Sequence, residues 1–196
     1  MVNYELKKKL LDNGAVQAYR SMKRSEWFEM LNGEIVDISI KDKVLIDSLD
    51  NTELTECQRI YKAHLERVLR LKKRVKSILS FTHSVFITLT FTNDVLATTS
   101  APTRRRYVTR YLNKFGGDYV ANIDFGSQTD REHYHAVVGF DILLDTPLWN
   151  YGFKNIQHIR IQDKTDTKIA KYIAKLTNHA IKETSKGSRM IYAKNY

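Results

Sequence analysis

The sequence holds one cysteine, Cys57, in 196 residues. That excludes an internal disulfide and any zinc module built on several thiolates. Two prolines and eight glycines are few, and no low-complexity tract or internal repeat occurs, which argues against wholesale disorder. No apolar run approaches the ~18 residues of a membrane-spanning helix. The first residues, through Lys7, have no apolar stretch of the kind that a secretory signal needs. A reducing cytoplasm is the expected location, with no membrane partner. None of the glycines stands in a Gly-x-x-x-x-Gly-Lys phosphate loop, so no helicase domain is assigned.

Positive charge, in contrast, is abundant. Thirty-two Lys and Arg against 22 Asp and Glu give a formal charge of +10. With a 42% hydrophobic content, this describes a globular chain of one domain, or one domain with an appendage, whose basic surface either suits nucleic acid or simply keeps the protein soluble.

Hydrophobic periodicity divides the chain near residue 80. Val16, Tyr19, Met22, Trp27, Met30 and Leu31 lie near helical spacing, with Gly33 as a stop, and Val36, Ile38 and Ile40 alternate as in a short strand. Asp50 to Glu53 resembles a capping box. It opens a helix whose apolar face runs from Leu54 through Cys57, Tyr61, Leu65, Val68, Leu71 and Val75 to Ile78. Between Arg59 and Lys76 that helix carries a basic flank, including Arg70, Lys73, Arg74 and Lys76, which is either a solvated face or a phosphate contact.

After residue 81 the pattern turns to strands. Ser84–Thr92 is β-branched and aromatic, and Thr103–Phe115 reads as a basic helix containing Arg104, Arg105 and Arg110. Tyr119–Phe125 and His133–Phe140 read as strands joined by a polar turn, and Asn155–Gln162 as another. A last helix runs from Thr165 or Asp166 to about Ile181, and residues 190–193 return as a short strand. The order predicts an α+β fold with a central antiparallel sheet flanked by helices, behind a helical N-terminal region, 1–80.

Two phrases carry chemistry. In His133-Tyr134-His135, alternation along a strand sends both imidazoles to one face. A hairpin would fold Asp124 back beside them, giving two imidazoles and a carboxylate suited to Mn²⁺ or Mg²⁺ in phosphate chemistry. Glu132, which should point to the other face, and Gln128 in the turn are rival donors. In the last helix Tyr172 and Lys175 stand at i and i+3, a phenol and an ammonium one turn apart. Tyr172 is either part of the buried stripe or a nucleophile.

In order, Phe86-Ile87-Thr88-Leu89-Thr90-Phe91, His133-Tyr134-His135 and Tyr172-Ile173-Ala174-Lys175 resemble the three motifs of rolling-circle replication initiators in the HUH endonuclease superfamily. The resemblance covers roughly residues 81–196 and extends to those of small single-stranded DNA phages and bacterial plasmids. It implies an HUH endonuclease domain over 81–196 that nicks and rejoins single-stranded DNA at an origin. Tyr172 would be the nucleophile, left joined to the 5′ phosphate. Asp124, His133 and His135 would hold the metal, and Lys175 would steady the scissile phosphate or the leaving group. It further implies an origin hairpin or duplex as partner, host helicase and polymerase as collaborators, and a bacterial cytoplasm as location. Lys168 stands where many phage initiators have a second tyrosine, so the likeness is to the single-tyrosine type. A transposase or relaxase of the same superfamily is the nearest rival, although relaxases place the tyrosine ahead of the histidines. A non-catalytic DNA-binding protein using the two basic helices is the alternative of another class.

Overall fold

A computed structural model describes residues 3–33, 35, 37–125, 131–142, 145–160, 165–184 and 190–193. Four helices come first: α1 (Tyr4–Asp12), α2 (Ala15–Asn32), α3 (Ile40–Asp47) and α4 (Asn51–Ile78). Strand β1 (His83–Phe91) is followed by α5 (Asn93–Thr98) and α6 (Ala101–Asn113). Next come β2 (Asp118–Phe125), β3 (Glu132–Phe140), β4 (Gly152–His158), α7 (Thr165–Thr184) and the two-residue β5 (Ile191–Tyr192). The fold is α+β, with a five-stranded antiparallel sheet in the order β4-β1-β3-β2-β5. Among the described residues no helix is long and apolar enough to cross a membrane.

Alternation along β3 builds the two sides of the sheet. Tyr134, Ala136 and Val138 face a core shared with Val108, Tyr111 and Leu112 of α6 and with Trp149. Val137, together with Val120 of β2, faces α4 and α7 instead, through Leu71, Val75, Ile173 and Leu176. Each such side chain taken fully from water contributes roughly 1.5–3 kcal/mol, more than helix propensity can supply. His133 and His135 therefore fall on the α7 side by parity alone.

Helix α4 serves two cores. Its last half packs on the sheet, and its first half, through Cys57 and Ile60, meets Leu10, Ala15 and Tyr19 of α1 and α2. The Asp50–Glu53 capping box forms as the sequence suggests, each side chain accepting from the other residue's N–H. The end of α4 lies so close to β3 that a Cβ on Gly139 would stand 2.3 Å from the Ile78 carbonyl oxygen. Only glycine allows that approach.

One local expectation needs correction, and one element is unexpected. The strand over Val36 to Ile40 does not form among the described residues; Val36 itself lies outside them. Ile40 instead begins α3, because the Ser39 hydroxyl accepts from the Asp42 N–H and caps a helix. Helix α5 is an element that the sequence pattern does not announce: Thr92 caps it through the Val95 N–H, directly after a strand rich in threonine.

Candidate metal centre and tyrosine

The β2–β3 register pairs Asp124 directly with His133, and the sheet's pleat places His135 on the same side two residues on. Ligand atoms of Asp124, His133 and His135 all lie within 4.8 Å of one another. Asp124 Oδ2 is 3.6 Å from His133 Nε2 and 3.7 Å from His135 Nε2. All three side chains are largely buried.

The rear of each ring is held. His133 Nδ1 lies 2.9 Å from the Arg131 carbonyl oxygen. A carbonyl only accepts, so Nδ1 carries a proton and Nε2 is the nitrogen turned toward Asp124. His135 Nδ1 bonds to the Thr88 hydroxyl at 3.1 Å, which also leaves Nε2 facing inward. Two imidazole nitrogens and a carboxylate oxygen within this distance are a donor set that could hold a metal ion. Burial alone would raise the Asp124 pKa, yet the three imidazoles of His133, His135 and His179 outweigh it and hold the carboxyl well below the usual range. The Asp124 carboxylate in turn raises His133, against the opposing effect of burial.

The rival donors are set aside differently. Glu132 points to the opposite side of the sheet, as alternation requires, and pairs with Arg104. Gln128 lies outside the described residues.

Helix α7 brings the tyrosine to the triad. The Tyr172 ring centroid is 5.3 Å from that of His135 and 5.8 Å from that of Phe86. Tyr172 is 39% exposed, whereas Ile173 and Leu176 on the same helix supply the buried stripe. Burial, followed by the Asp124 carboxylate, pushes the Tyr172 pKa up to about 12. Beside Asp124 the phenol is therefore protonated at neutral pH, and positive charge brought near it would favour the phenolate. Lys175 is exposed, one turn further along the groove that also contains Tyr172.

The other tyrosines near the motifs lie elsewhere. Tyr151 stacks on Tyr107 at 3.9 Å against the α6-side core. Tyr192 pairs with Val120, four residues along β2 from Asp124 or roughly 13 Å, with the Arg74 guanidinium over its ring.

Sequence reasoning misses three supports. Asn122, fully buried, donates to the Ile173 carbonyl at 3.0 Å and the Thr177 hydroxyl at 3.1 Å, fastening α7 to β2. His179 Nδ1 lies 3.1 Å from Asp124 Oδ1. Thr88 orients His135. A signal for His179 is present: Tyr172, Lys175 and His179 stand at i, i+3 and i+7, one stripe of a helix.

The predicted nucleic-acid contacts separate into two groups. Arg70, Lys73, Lys76 and Arg110 are exposed on their helices. Arg74 is mostly covered, facing Asp118 at 3.8 Å and the Tyr192 ring. Arg104 is engaged internally with Glu132 and the Thr99 carbonyl, and Arg105 donates to the Met190 carbonyl at 2.8 Å. These three guanidiniums hold the fold together, and their sequence neighbourhood, a run of positive charge, conceals it.

No protein-family model matches the chain, and neither a curated protein nor a solved structure does so.

Proposed function

We propose that the protein is a metal-dependent nickase and strand transferase of the single-tyrosine replication-initiator type, acting on single-stranded DNA at an origin. The observation that carries this reading is the convergence of Asp124, His133 and His135 at one point with the Tyr172 ring against His135. A metal and a phenol so close together suit attack on one phosphodiester, and neither is needed merely to bind DNA.

The reaction balances without a further reactant. Tyr172 Oη gives up its proton and attacks the scissile phosphorus, the bond from phosphorus to the 3′ oxygen breaks, and one proton returns to that oxygen, which leaves as the 3′ hydroxyl. One phosphodiester replaces another, so the step reverses and strands can be rejoined. Asp124, His133 and His135 would hold the metal, which supplies Lewis-acid polarisation of the phosphate. Asn122 and His179 hold α7 and the carboxylate in register. Lys175 places positive charge where the phosphate or the leaving oxygen sits. On this reading the partners are an origin hairpin or duplex, with host helicase and polymerase downstream, in a bacterial cytoplasm.

The test is a denaturing gel. The protein is incubated with Mn²⁺ and a single-stranded oligonucleotide from the origin region of its own genetic element. A band of protein joined covalently to the DNA is expected, absent with chelator and absent in Tyr172→Phe, which keeps the ring. Undiminished adduct in Tyr172→Phe, or in excess chelator, overturns the mechanism.

A further inference from the structure

Resting on the nickase reading, we propose that α2 of the N-terminal region forms one wall of the groove that holds the single strand leading to Tyr172. The groove, of about 920 Å³, lies between α2 and α7 with α4 beneath. Lining positions on α2 fall at i, i+1, i+4, i+7, i+8 and i+11 from Val16, and those on α7 follow the same spacing from Lys171. That spacing is one continuous stripe of a helix. Eleven residues of helix span roughly 16 Å at ~1.5 Å each, the length of about five stacked nucleotides at ~3.4 Å.

The charge is of one sign. Arg20, Lys23 and Arg24 line the α2 wall and Lys171, Lys175 and Lys182 the α7 wall, and no Asp or Glu lines the groove among the described residues. Lys23 is paired with Glu26 and Lys182 with Asp12. Among the described residues the other four have no carboxylate partner. The acidic side chains of α2, Glu26 and Glu29, line a different cavity together with Asp37 and Asp47. Helix α2 is thus largely sorted by charge: Arg20, Lys23 and Arg24 line the groove and Glu26 and Glu29 line the other cavity, with Glu26 bridging to Lys23. Arg20 and Arg24, without a carboxylate partner among the described residues, are the α2 cations left for a polyanion.

A single strand rather than a duplex fits the rest of the lining. Trp27, 53% exposed, closes the α2 stripe, while Tyr172 lies on the facing wall. An exposed indole offers a stacking surface to a base whose faces are open, and paired bases inside a duplex have theirs covered. The groove also contains His179, which touches the metal-facing carboxylate, so a strand lying along it passes the reacting centre.

The experiment uses the whole chain, in chelator so that no cleavage intervenes. A mixed-sequence labelled strand of about 12 nucleotides and its duplex are titrated by fluorescence anisotropy, with tryptophan emission followed on unlabelled strand. Because Trp149, the other tryptophan, is buried, quenching reports on Trp27. The single strand is expected to bind more tightly than the duplex and to quench emission. Trp27→Ala should remove the quenching and weaken binding roughly tenfold. Arg20→Gln/Arg24→Gln should lower the slope of log affinity against log salt by about 1.4, ~0.7 for each phosphate no longer neutralised. All three residues are exposed or half-exposed at the groove, and thermal melting checks that the variants fold as the parent does. Parent-like affinity and salt slope in both variants, or preference for the duplex, overturns the proposal. A covalent adduct accompanied by parent-like variant binding sinks the groove and leaves the nickase standing. The expected variant effects with no adduct from the parent do the reverse.

Discussion

His179 approaches Asp124 from the side away from His133 and His135: its Nδ1 is 3.1 Å from Oδ1, while Oδ2 faces the other two rings. The Phe125 N–H also donates to Oδ1, at 2.9 Å. One carboxylate oxygen is therefore anchored and the other is aimed. The anchor comes from the helix that bears Tyr172, which couples the position of the tyrosine to that of the carboxylate. His179→Ala should lower Mn²⁺ affinity by about 10- to 100-fold, the usual cost of losing a group that orients a ligand. Isothermal titration at fixed pH measures it. Unchanged affinity would reduce His179 to a surface contact.

Asn122 separates positioning from metal binding. Its amide spans β2 and α7, and it sits opposite His135 in the strand register. In Asn122→Ala the triad keeps its own strands but the loosened α7 also carries His179, so Mn²⁺ affinity should fall by no more than in His179→Ala, and adduct formation is compared at saturating Mn²⁺. The tyrosine helix loses its tie, and adduct formation should fall about 100-fold, as expected for a misplacement near 1 Å. Urea unfolding should show a loss of about 1–3 kcal/mol. Parent-like adduct formation at saturating Mn²⁺ would mean that Asn122 does not place Tyr172.

What is legible in the sequence follows from the range of each signal. The α4 helix carries its start in a four-residue cap and its face in a long apolar repeat, and both are local. The triad is nearly local too, since alternation fixes the side of His133 and His135, and one hairpin brings back Asp124. The pattern misleads where a short alternation competes with a cap. Val36, Ile38 and Ile40 alternate for only three steps, and the Ser39 hydroxyl outweighs them. Arg104 is illegible for a different reason: its partner Glu132 is 28 residues away and becomes a neighbour only when α6 lies on the sheet. The groove cations Arg20 and Arg24 are inconspicuous because they lie in a helix of mixed charge, whose sorting emerges only once the neighbours of each face are known.

The Arg104–Glu132 pair should behave as a structural unit. Both side chains are nearly covered, at 12% and 8% exposure, and the guanidinium makes two bonds to Glu132 Oε2, from Nε at 2.9 Å and Nη2 at 2.5 Å. Arg104→Met leaves a buried carboxylate unpaired and should cost about 3–5 kcal/mol. The double variant Arg104→Met/Glu132→Leu should recover most of that loss, because the remaining charge is gone as well. Urea denaturation of the two single variants and the double decides it. Additive losses would mean that the two residues act independently.

His64 gives the fold a dependence on pH that is distinct from the metal centre. It sits in the floor of the groove on α4, and its Nδ1 is buried without a partner among the described residues. Burial, then the positive charges of Arg67 and Arg20, lowers its pKa from 6.5 to about 4. Between those values the unfolded chain takes up the proton and the folded chain resists it. Its contribution to stability is therefore present above the unfolded pKa and is lost as pH falls toward the folded one. At pH 5 the loss attributable to His64 should be at most ~2 kcal/mol, since the ring is not wholly enclosed. Other groups titrate over the same range, so the informative quantity is the difference between the parent and His64→Leu, which fills a similar space without a proton to bind. Urea unfolding at pH 7 and at pH 5 should show the parent losing more stability than the variant on acidification. Equal losses in the two proteins would mean that His64 is solvated well enough to protonate in the folded state.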